Sequence, residues 1–151
     1  MNRIHFRNLQ RRYKMATPAY RRLLRAALAE LRVSEGELTV IYCNPERIRY
    51  LNEVYRGIDA PTDVLSFPDS EPSEDGGLYL GEIFIAPEIA AENAAEYRAD
   101  WAEEVAELHL HGLLHLLGFD HETDRGEMER RQRELFQKLL PLVPGQRPGA
   151  D

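Results

Sequence analysis

The chain has 151 residues, of which 43% are hydrophobic and 30% charged, and its formal net charge is −7. This composition is typical of a globular protein, and no run approaches the ~20 apolar residues that span a membrane. The length predicts one domain over residues 1–151 with a sizeable core. Within it, the Pro- and Gly-containing segment 141–151 is expected to form a flexible tail.

The start of the sequence and its single cysteine favour a cytoplasmic protein. Residues 1–10 contain arginines but no apolar stretch of the kind found in secretory signals. Cys43 is the only cysteine, so it has no partner for an internal disulfide, which fits a reducing compartment. Its neighbours Ile41 and Tyr42 predict a strand and therefore a buried, unreactive thiol.

Charge is distributed unevenly along the chain. Residues 1–60 hold 12 Lys and Arg against 6 Asp and Glu, whereas residues 61–151 hold 7 against 20. The acidic total argues against a general nucleic-acid-binding protein. The basic first part is consistent with a surface that faces a polyanion, and equally with arginines that solvate a helix.

Hydrophobic periodicity and capping residues predict four strands and five helices. Strands are predicted at 4–8, at 37–43, around 65–67 and at 78–86. Helices are predicted at 18–31, 46–55, 87–98 and 101–117, with Thr17, Asn44 and Asp100 among the N-caps. A last helix, capped by Thr123 or Asp124, is expected to reach about residue 140 with a solvated, highly charged surface.

These elements predict an α+β fold in which about five helices pack on a small four-stranded mixed sheet. The early β-α-β connections favour parallel pairs, and the link between the last two strands favours an antiparallel pair. Gly81 lies inside the fourth strand. It indicates either the close approach of a ligand or another chain, or a bulge.

The strongest chemical signal is a group of three histidines near the end of a predicted helix. Four-residue spacing puts His111 and His115 on one helical face, and Gly118 is placed to form a left-handed cap. The chain can then turn back and bring His121 over the same face. Three imidazoles with a fourth position left for water are the ligand set of a catalytic zinc site. We therefore predict one Zn²⁺ per chain at the end of the central C-terminal helix.

The surroundings of the histidines predict their burial. Because leucines flank them on the helix, His111 and His115 are expected to be buried. His109 lies about 200° around the helix from His111 and is expected to be structural. His5 falls on the polar side of the first strand and is expected at the surface.

The spacing H-x-x-x-H-x-x-G-x-x-H also marks the metzincin zinc peptidases. In those enzymes the residue after the first histidine is a glutamate that serves as general base, but this chain has Gly112 there. The motif therefore predicts zinc chemistry on something other than a peptide. A metallopeptidase is the less favoured alternative, which would need a base such as Glu82.

Three segments carry a family resemblance. They read H-G-x-x-H-L-x-G-[YF]-D-H at 111–121, R-G-x-D-x-P-T-D-V-L-S-F-P at 56–68 and L-G-E-I-x-I at 80–85. Together they resemble the YbeY family of bacterial endoribonucleases, although many members have tyrosine in place of Phe119 and some have aspartate in place of Glu82. The resemblance implies a cytoplasmic, zinc-dependent, single-strand-specific endoribonuclease. It further implies action in 3′-end maturation of small-subunit ribosomal RNA and in ribosome quality control.

The resemblance also implies roles for individual residues. It makes His111, His115 and His121 the zinc ligands and places Arg56 near the metal. A guanidinium fork matches two phosphate oxygens, so we predict that Arg56 clamps the scissile phosphate. The alternative is an ion pair between Arg56 and an aspartate, either Asp59 or Asp63.

Two more residues are candidates with open alternatives. Ser66 is expected to donate a hydrogen bond either to phosphate or to the sheet edge. Asp120 either orients a ligand histidine or forms a turn by bonding its own backbone.

A second functional class is a ribosome-assembly binding factor whose zinc is structural and whose partner nuclease performs the cleavage. Such a site would be closed by a fourth protein ligand, for which Asp120 or Asp124 is available. The expected partners are single-stranded RNA, a ribosomal RNA precursor and the small ribosomal subunit, with no membrane.

Overall fold

The computed structural model of the chain describes residues 1–74, 76–120 and 122–145. Within these residues the strands are β1 (Arg3–Asn8), β2 (Gly36–Tyr42), β3 (Val64–Pro68) and β4 (Leu78–Ile85). The helices are α1 (Thr17–Glu30), α2 (Pro45–Arg56), α3 (Pro87–Glu96), α4 (Trp101–Leu116) and α5 (Glu127–Leu139), followed by a short 3-10 helix, Leu140–Leu142. The predicted α+β class is confirmed. In the part of the chain described, no helix has the length and apolar character to cross a membrane.

The four strands form one mixed sheet in the order β1-β2-β4-β3. β2 pairs in parallel with β1 and β4, whereas β3 pairs antiparallel with β4. Both directions follow from the connections, since a helical crossover permits parallel strands and a short link permits an antiparallel pair. The predicted mixed sheet is confirmed, and β3 forms one of its edges.

Alternating side chains divide the sheet into two apolar faces. On one face, residues such as Val40 and Ile83 join the main core with α1 and α4. On the other face, Leu65 packs in a smaller cluster with Ile48 of α2, and Phe67 and Phe84 lie against it. Helices α2 and α4 therefore lie on opposite faces of the sheet and approach each other around the edge strand β3.

Gly81 resolves the two interpretations that the sequence left open. The register between β2 and β4 shifts at Leu38, which pairs with Gly81 rather than with Leu80, so β4 carries a bulge. Gly81 has φ +134°, and a Cβ atom there would collide with the carbonyl oxygen of Phe67. The close approach is thus made by the neighbouring strand β3.

Helix starts follow the predicted capping chemistry at two of the positions named. The side chains of Asn44 and Asp100 accept hydrogen bonds from the backbone N–H groups of Arg47 (2.9 Å) and Glu103 (3.1 Å). The prediction for Thr17 is wrong by one residue, because α1 already begins there and Ala16 is its N-cap without a side-chain bond.

The last helix begins later than predicted, at Glu127, after Gly126 in a left-handed conformation. The carboxylate of Asp124 accepts hydrogen bonds from the backbone N–H groups of Gly126 and Met128, each at 2.9 Å. Asp124 thus satisfies backbone N–H groups at the start of this helix, although it lies just outside the helix.

The chain remains packed beyond the last helix. Leu142 and Val143 pack against the core, so the predicted tail boundary at 141 is too early. Residues 146–151 lie outside the described part of the chain.

Basic residues of the first sixty hold the first strand and helix together. Arg21 and Arg25 of α1 donate to the carbonyl oxygens of Ile4 (3.3 Å) and Asn2 (3.1 Å). These two contacts give part of the positive charge of residues 1–60 a structural use.

The predicted environments of His5 and Cys43 are confirmed. His5 is exposed and lies 2.6 Å from Glu37 of β2. Cys43 is buried, and burial raises the pKa of its thiol to about 11.

His109 is a fully buried core residue, as expected from its position on α4. Its Nδ1 lies 2.7 Å from the Val105 carbonyl oxygen and its Nε2 2.7 Å from the Tyr42 hydroxyl. A neutral ring satisfies both contacts, with Nδ1–H donating and Nε2 accepting. Its ring also stacks on Tyr20, with centroids 4.2 Å apart. Burial lowers the pKa of His109 to about 4.

Acidification should therefore destabilise the metal-free protein through His109. The unfolded chain binds a proton at this residue below pH ~6.5, whereas the folded chain resists protonation down to about 4. We expect this residue to remove about 2 kcal/mol of unfolding free energy between pH 7 and pH 5. Urea unfolding of the wild type and of His109→Gln at both pH values measures this loss of unfolding free energy. If the stability difference between the two proteins is the same at pH 7 and pH 5, His109 does not cause the loss.

Candidate functional site

The two helical histidines of the motif lie side by side near the end of α4. The ring centroids of His111 and His115 are 4.7 Å apart with an angle of 73° between the rings, so both project from one face as predicted. Both rings are half-buried rather than buried. The difference arises because this face of α4 opens on a cavity, whereas the flanking leucines turn towards the core.

Helix α4 ends in the predicted glycine cap. Gly118 has φ +96°, and its N–H donates to the carbonyl oxygen of His115 (3.1 Å). The N–H of Phe119 donates to the carbonyl oxygen of Leu114 (3.0 Å), which completes the two-bond pattern of a Schellman motif. The chain therefore turns sharply just before Asp120. His121, the third predicted ligand, lies outside the described residues.

A cavity of about 430 Å³ lies in front of the histidine pair. It is lined by the end of α2, the loop before β3, β3 itself, α4 and the turn that follows it: Arg56, Thr62, Asp63, Val64, Leu65, Ser66, His111, His115, Asp120 and Glu122. The predicted site residues Arg56, Ser66, His111, His115 and Asp120 are all on this lining, whereas the alternative candidates Glu82 and Asp124 are not. The fold thus brings together residues from three separate parts of the sequence.

Gln132 of α5 is a site residue that the sequence analysis missed. Its Oε1 lies 2.9 Å from Nδ1 of His111, which places it to accept the Nδ1–H hydrogen. A histidine that donates through Nδ1 keeps its lone pair on Nε2. The sequence signal is partial: helical spacing puts Gln132 on the same side of α5 as the buried Met128 and Leu135, but it does not identify His111 as its partner. The prediction of a solvated, highly charged surface for this helix did not account for the side that carries Gln132.

Arg56 is the last residue of α2 and reaches the cavity from the edge of the sheet. Its Nη2 lies 4.0 Å from Oε1 of Glu122, and both side chains are largely exposed. An ion pair of this length in solvent is weak and leaves the guanidinium able to bind an anion. Neither predicted alternative partner holds it: Asp59 pairs with Arg49 at 2.7 Å, and Asp63 accepts from Asn93 at 3.2 Å.

Ser66 and Asp120 have structural contacts within the lining. The hydroxyl of Ser66 donates to the carbonyl oxygen of Gly112 (3.2 Å), so it joins β3 to α4 rather than to another strand. Oδ1 of Asp120 accepts from the backbone N–H of Glu122 (3.0 Å), which is the turn predicted as one of its two alternatives. A role for either residue towards substrate or metal stays a prediction.

Gly112 lies where α4 packs against the sheet. A Cβ atom at this position would be 2.5 Å from Cγ2 of Ile83, so a glutamate has no room there. Ile83 faces α4, and the preceding residue of β4, Glu82, therefore faces the opposite side of the sheet. The residue proposed as a substitute peptidase base thus points away from the histidines, which counts against the metallopeptidase alternative.

The lining is acidic apart from one arginine. Among the described residues, the charged side chains that line the cavity are three carboxylates, Asp63, Asp120 and Glu122, and one guanidinium, Arg56. An anion entering it would be repelled unless a cation offsets these carboxylates. Among residues 1–74, 76–120 and 122–145, no three His, Cys, Asp or Glu side chains form a group that could hold a metal. The described histidine pair therefore needs a further ligand, and His121 is the predicted one.

Comparison with a solved structure agrees with this architecture. The solution structure of TM1509 from Thermotoga maritima matches with a TM-score of 0.60 at 29% identity, covering 97% of this chain and 100% of that chain. The overall fold of this chain is thus shared with that protein.

Sequence comparison then identifies the family. The family model "Endoribonuclease YbeY" matches residues 5–140. The "Endoribonuclease YbeY" of Sulfurovum sp. is 43% identical over 110 residues, which are 71% of this chain and 75% of the relative. That of Geobacillus thermodenitrificans is 44% identical over 128 residues, or 78% of this chain and 82% of the relative. The chain belongs to the YbeY family, which confirms the resemblance noted in its sequence.

Proposed function

We propose that this chain is a zinc-dependent, single-strand-specific endoribonuclease of the cytoplasm. Its proposed substrate is a ribosomal RNA precursor on the small ribosomal subunit, in 3′-end maturation and in ribosome quality control. Membership of a family named for endoribonuclease activity supports the reaction class. The observation that carries the proposal is the cavity, in which Arg56 faces the same space as His111 and His115.

The described histidine pair supports a zinc site, with His121 as the proposed third ligand. The histidine pair shares one helical face, and Gln132 contacts Nδ1 of His111 as an outer partner commonly does for a metal-binding histidine. Asp120 and Glu122, which precede and follow His121, both line the cavity. Bound zinc would supply a Lewis acid that offsets phosphate charge and acidifies a water or ribose hydroxyl.

The remaining steps belong to the side chains of the protein. Arg56 binds two non-bridging oxygens of the scissile phosphate and stabilises the charge that builds up there during cleavage. Ser66 of β3 donates to the backbone carbonyl of Gly112 and so holds the edge strand of the cavity against the helix that carries the histidines. The acidic side chains around the cavity disfavour an anion that does not also engage the cation.

The test is to incubate zinc-loaded protein with single-stranded RNA, double-stranded RNA and a peptide library. We expect cleavage of the single-stranded RNA, and a loss of roughly 100- to 1,000-fold in kcat/KM for Arg56→Ala, as for removal of one transition-state donor elsewhere. Arg56→Lys should recover only part of it, because an ammonium lacks the planar fork. Arg49→Ala is the matched control, since Arg49 lies on the same helix and pairs with Asp59.

Each other outcome contradicts a stated part of the proposal. Equal rates for Arg56→Ala and wild type would remove Arg56 from the reaction. Tight RNA binding without cleavage favours the assembly factor with structural zinc. Cleavage of peptides but not of RNA favours the metallopeptidase.

A further inference from the structure

An exposed aromatic residue precedes Arg56 in helix α2. The side chain of Tyr55 is 65% exposed, although a ring of this size usually buries most of its surface. Few residues anchor this helix: within α2, Ile48 and Asn52 are the buried ones. Tyr55 is therefore not part of the buried face of α2, and its ring leaves a large aromatic surface in solvent.

A second aromatic side chain fixes the orientation of Tyr55. The rings of Tyr55 and Phe67 make an edge-to-face contact, with centroids 5.1 Å apart and an angle of 66°. Phe67 in turn meets Phe84 at 5.6 Å and 87°. An edge-to-face contact covers at most one face of a ring, so at least one face of Tyr55 is left by Phe67 for stacking.

The Tyr55–Phe67 pair adjoins the cavity on two elements at once. Arg56, which follows Tyr55, and Ser66, which precedes Phe67, both line the cavity. The aromatic pair thus stands beside the arginine, around the edge of the sheet from the histidines. A nucleic-acid strand whose phosphate lies on Arg56 would carry its next base towards this pair.

We propose that Tyr55 is a stacking platform for an unpaired base next to the phosphate that Arg56 binds. The inference rests on the proposed function and names the residue that selects single strands. A base can stack on an exposed tyrosine only when it is free of its own helix, so a duplex cannot use the platform. The combination of a guanidinium for the backbone and an aromatic ring for the base is the chemistry that recognises single-stranded RNA.

The matched control is another tyrosine of the same helix. Tyr50 is 63% exposed, close to the value for Tyr55, but it lies about 140° away around α2. It therefore presents the same chemistry on a side of the helix that does not adjoin Phe67. Tyr50→Ala and Tyr55→Ala remove nearly the same exposed surface, and Tyr55→Ala also removes the ring contact with Phe67.

The experiment measures binding of a labelled, 2′-O-methylated single-stranded RNA of about 12 nucleotides, a length within the usual range of such sites. We expect Tyr55→Ala to raise the Kd roughly 5- to 30-fold, Tyr55→Phe to stay within about 2-fold, and Tyr50→Ala to match the wild type. Gels of the recovered RNA verify that it stays intact. A series of oligonucleotides with one abasic position each then locates the stacked base.

The decisive result is a double-mutant cycle between protein and RNA. At one abasic position, the loss caused by Tyr55→Ala should largely disappear, because either change alone removes the same stack. Equal Kd values for Tyr55→Ala and Tyr50→Ala overturn the platform while leaving the nuclease proposal intact. A wild-type protein that neither binds nor cleaves single-stranded RNA overturns the proposed function itself.

Discussion

Replacing His115 by alanine should abolish both tight zinc binding and RNA cleavage. Loss of an outer partner of a metal-binding histidine typically costs 10- to 100-fold in affinity or activity, and loss of a ligand should cost more than about 100-fold. Within the described residues, His111 and His115 are the two imidazoles that share this face of α4, so His115→Ala leaves one of them to bind zinc. Competition with a chromophoric chelator measures the zinc affinity, and RNA cleavage is measured on the same samples.

Two further variants make this experiment quantitative. Gln132→Leu should fall between wild type and His115→Ala in zinc affinity, because it removes only the acceptor that orients His111. Its control is Gln137→Leu, the same change at an exposed position of α5. For the histidine itself the control is His5→Ala, which removes a surface imidazole of β1. Wild-type zinc affinity in His115→Ala would show that the helix does not carry the metal site.

Replacing Gly112 by glutamate should unfold the domain rather than create a peptidase. The new side chain would enter the space of Ile83, and its charge would be buried between α4 and the sheet. Overpacking costs about 1–3 kcal/mol and an unpaired buried charge several more, against a total stability of about 5–15 kcal/mol. Urea unfolding or solubility on expression gives the readout, with peptide cleavage measured on any folded protein.

A milder pair of changes keeps this prediction testable if the glutamate variant does not fold. Gly112→Ala alone should lose stability despite the better helix propensity of alanine, because its Cβ meets Cγ2 of Ile83. In the double variant with Ile83→Ala the two losses should be less than additive by at least about 1 kcal/mol. Strict additivity would mean that the sheet does not exclude a side chain at 112.

Features that depend on a few neighbouring residues were predictable from the sequence. The pairing of His111 with His115 and the turn at Gly118 were predictable, because helical geometry and the backbone freedom of glycine act within a few residues. The caps Asn44 and Asp100 were predictable for the same reason. Thr17 was misjudged by one residue, since proline tolerates more than one position in the first helical turn.

Contacts between distant segments were not available from the sequence. Nothing local indicates that Ser66 bonds the backbone of Gly112, that Arg56 faces Glu122, or that Tyr55 meets Phe67. These contacts depend on how α2 and α4 pack around the edge strand β3 from opposite faces of the sheet. The half-buried state of the histidine rings has the same origin, because a cavity exists only once several elements have packed.

The sequence by itself determined the strand and helix order, the mixed sheet, the histidine spacing and the family motifs. These features follow from periodicity, capping and the residue types that coordinate metals, all of which operate over short stretches of chain. Only the tertiary structure decided what surrounds the site: Gln132 on His111, Ile83 against Gly112 and the acidic lining opposite Arg56. The physical reason is that these contacts arise from packing between segments far apart in sequence, which no local pattern encodes.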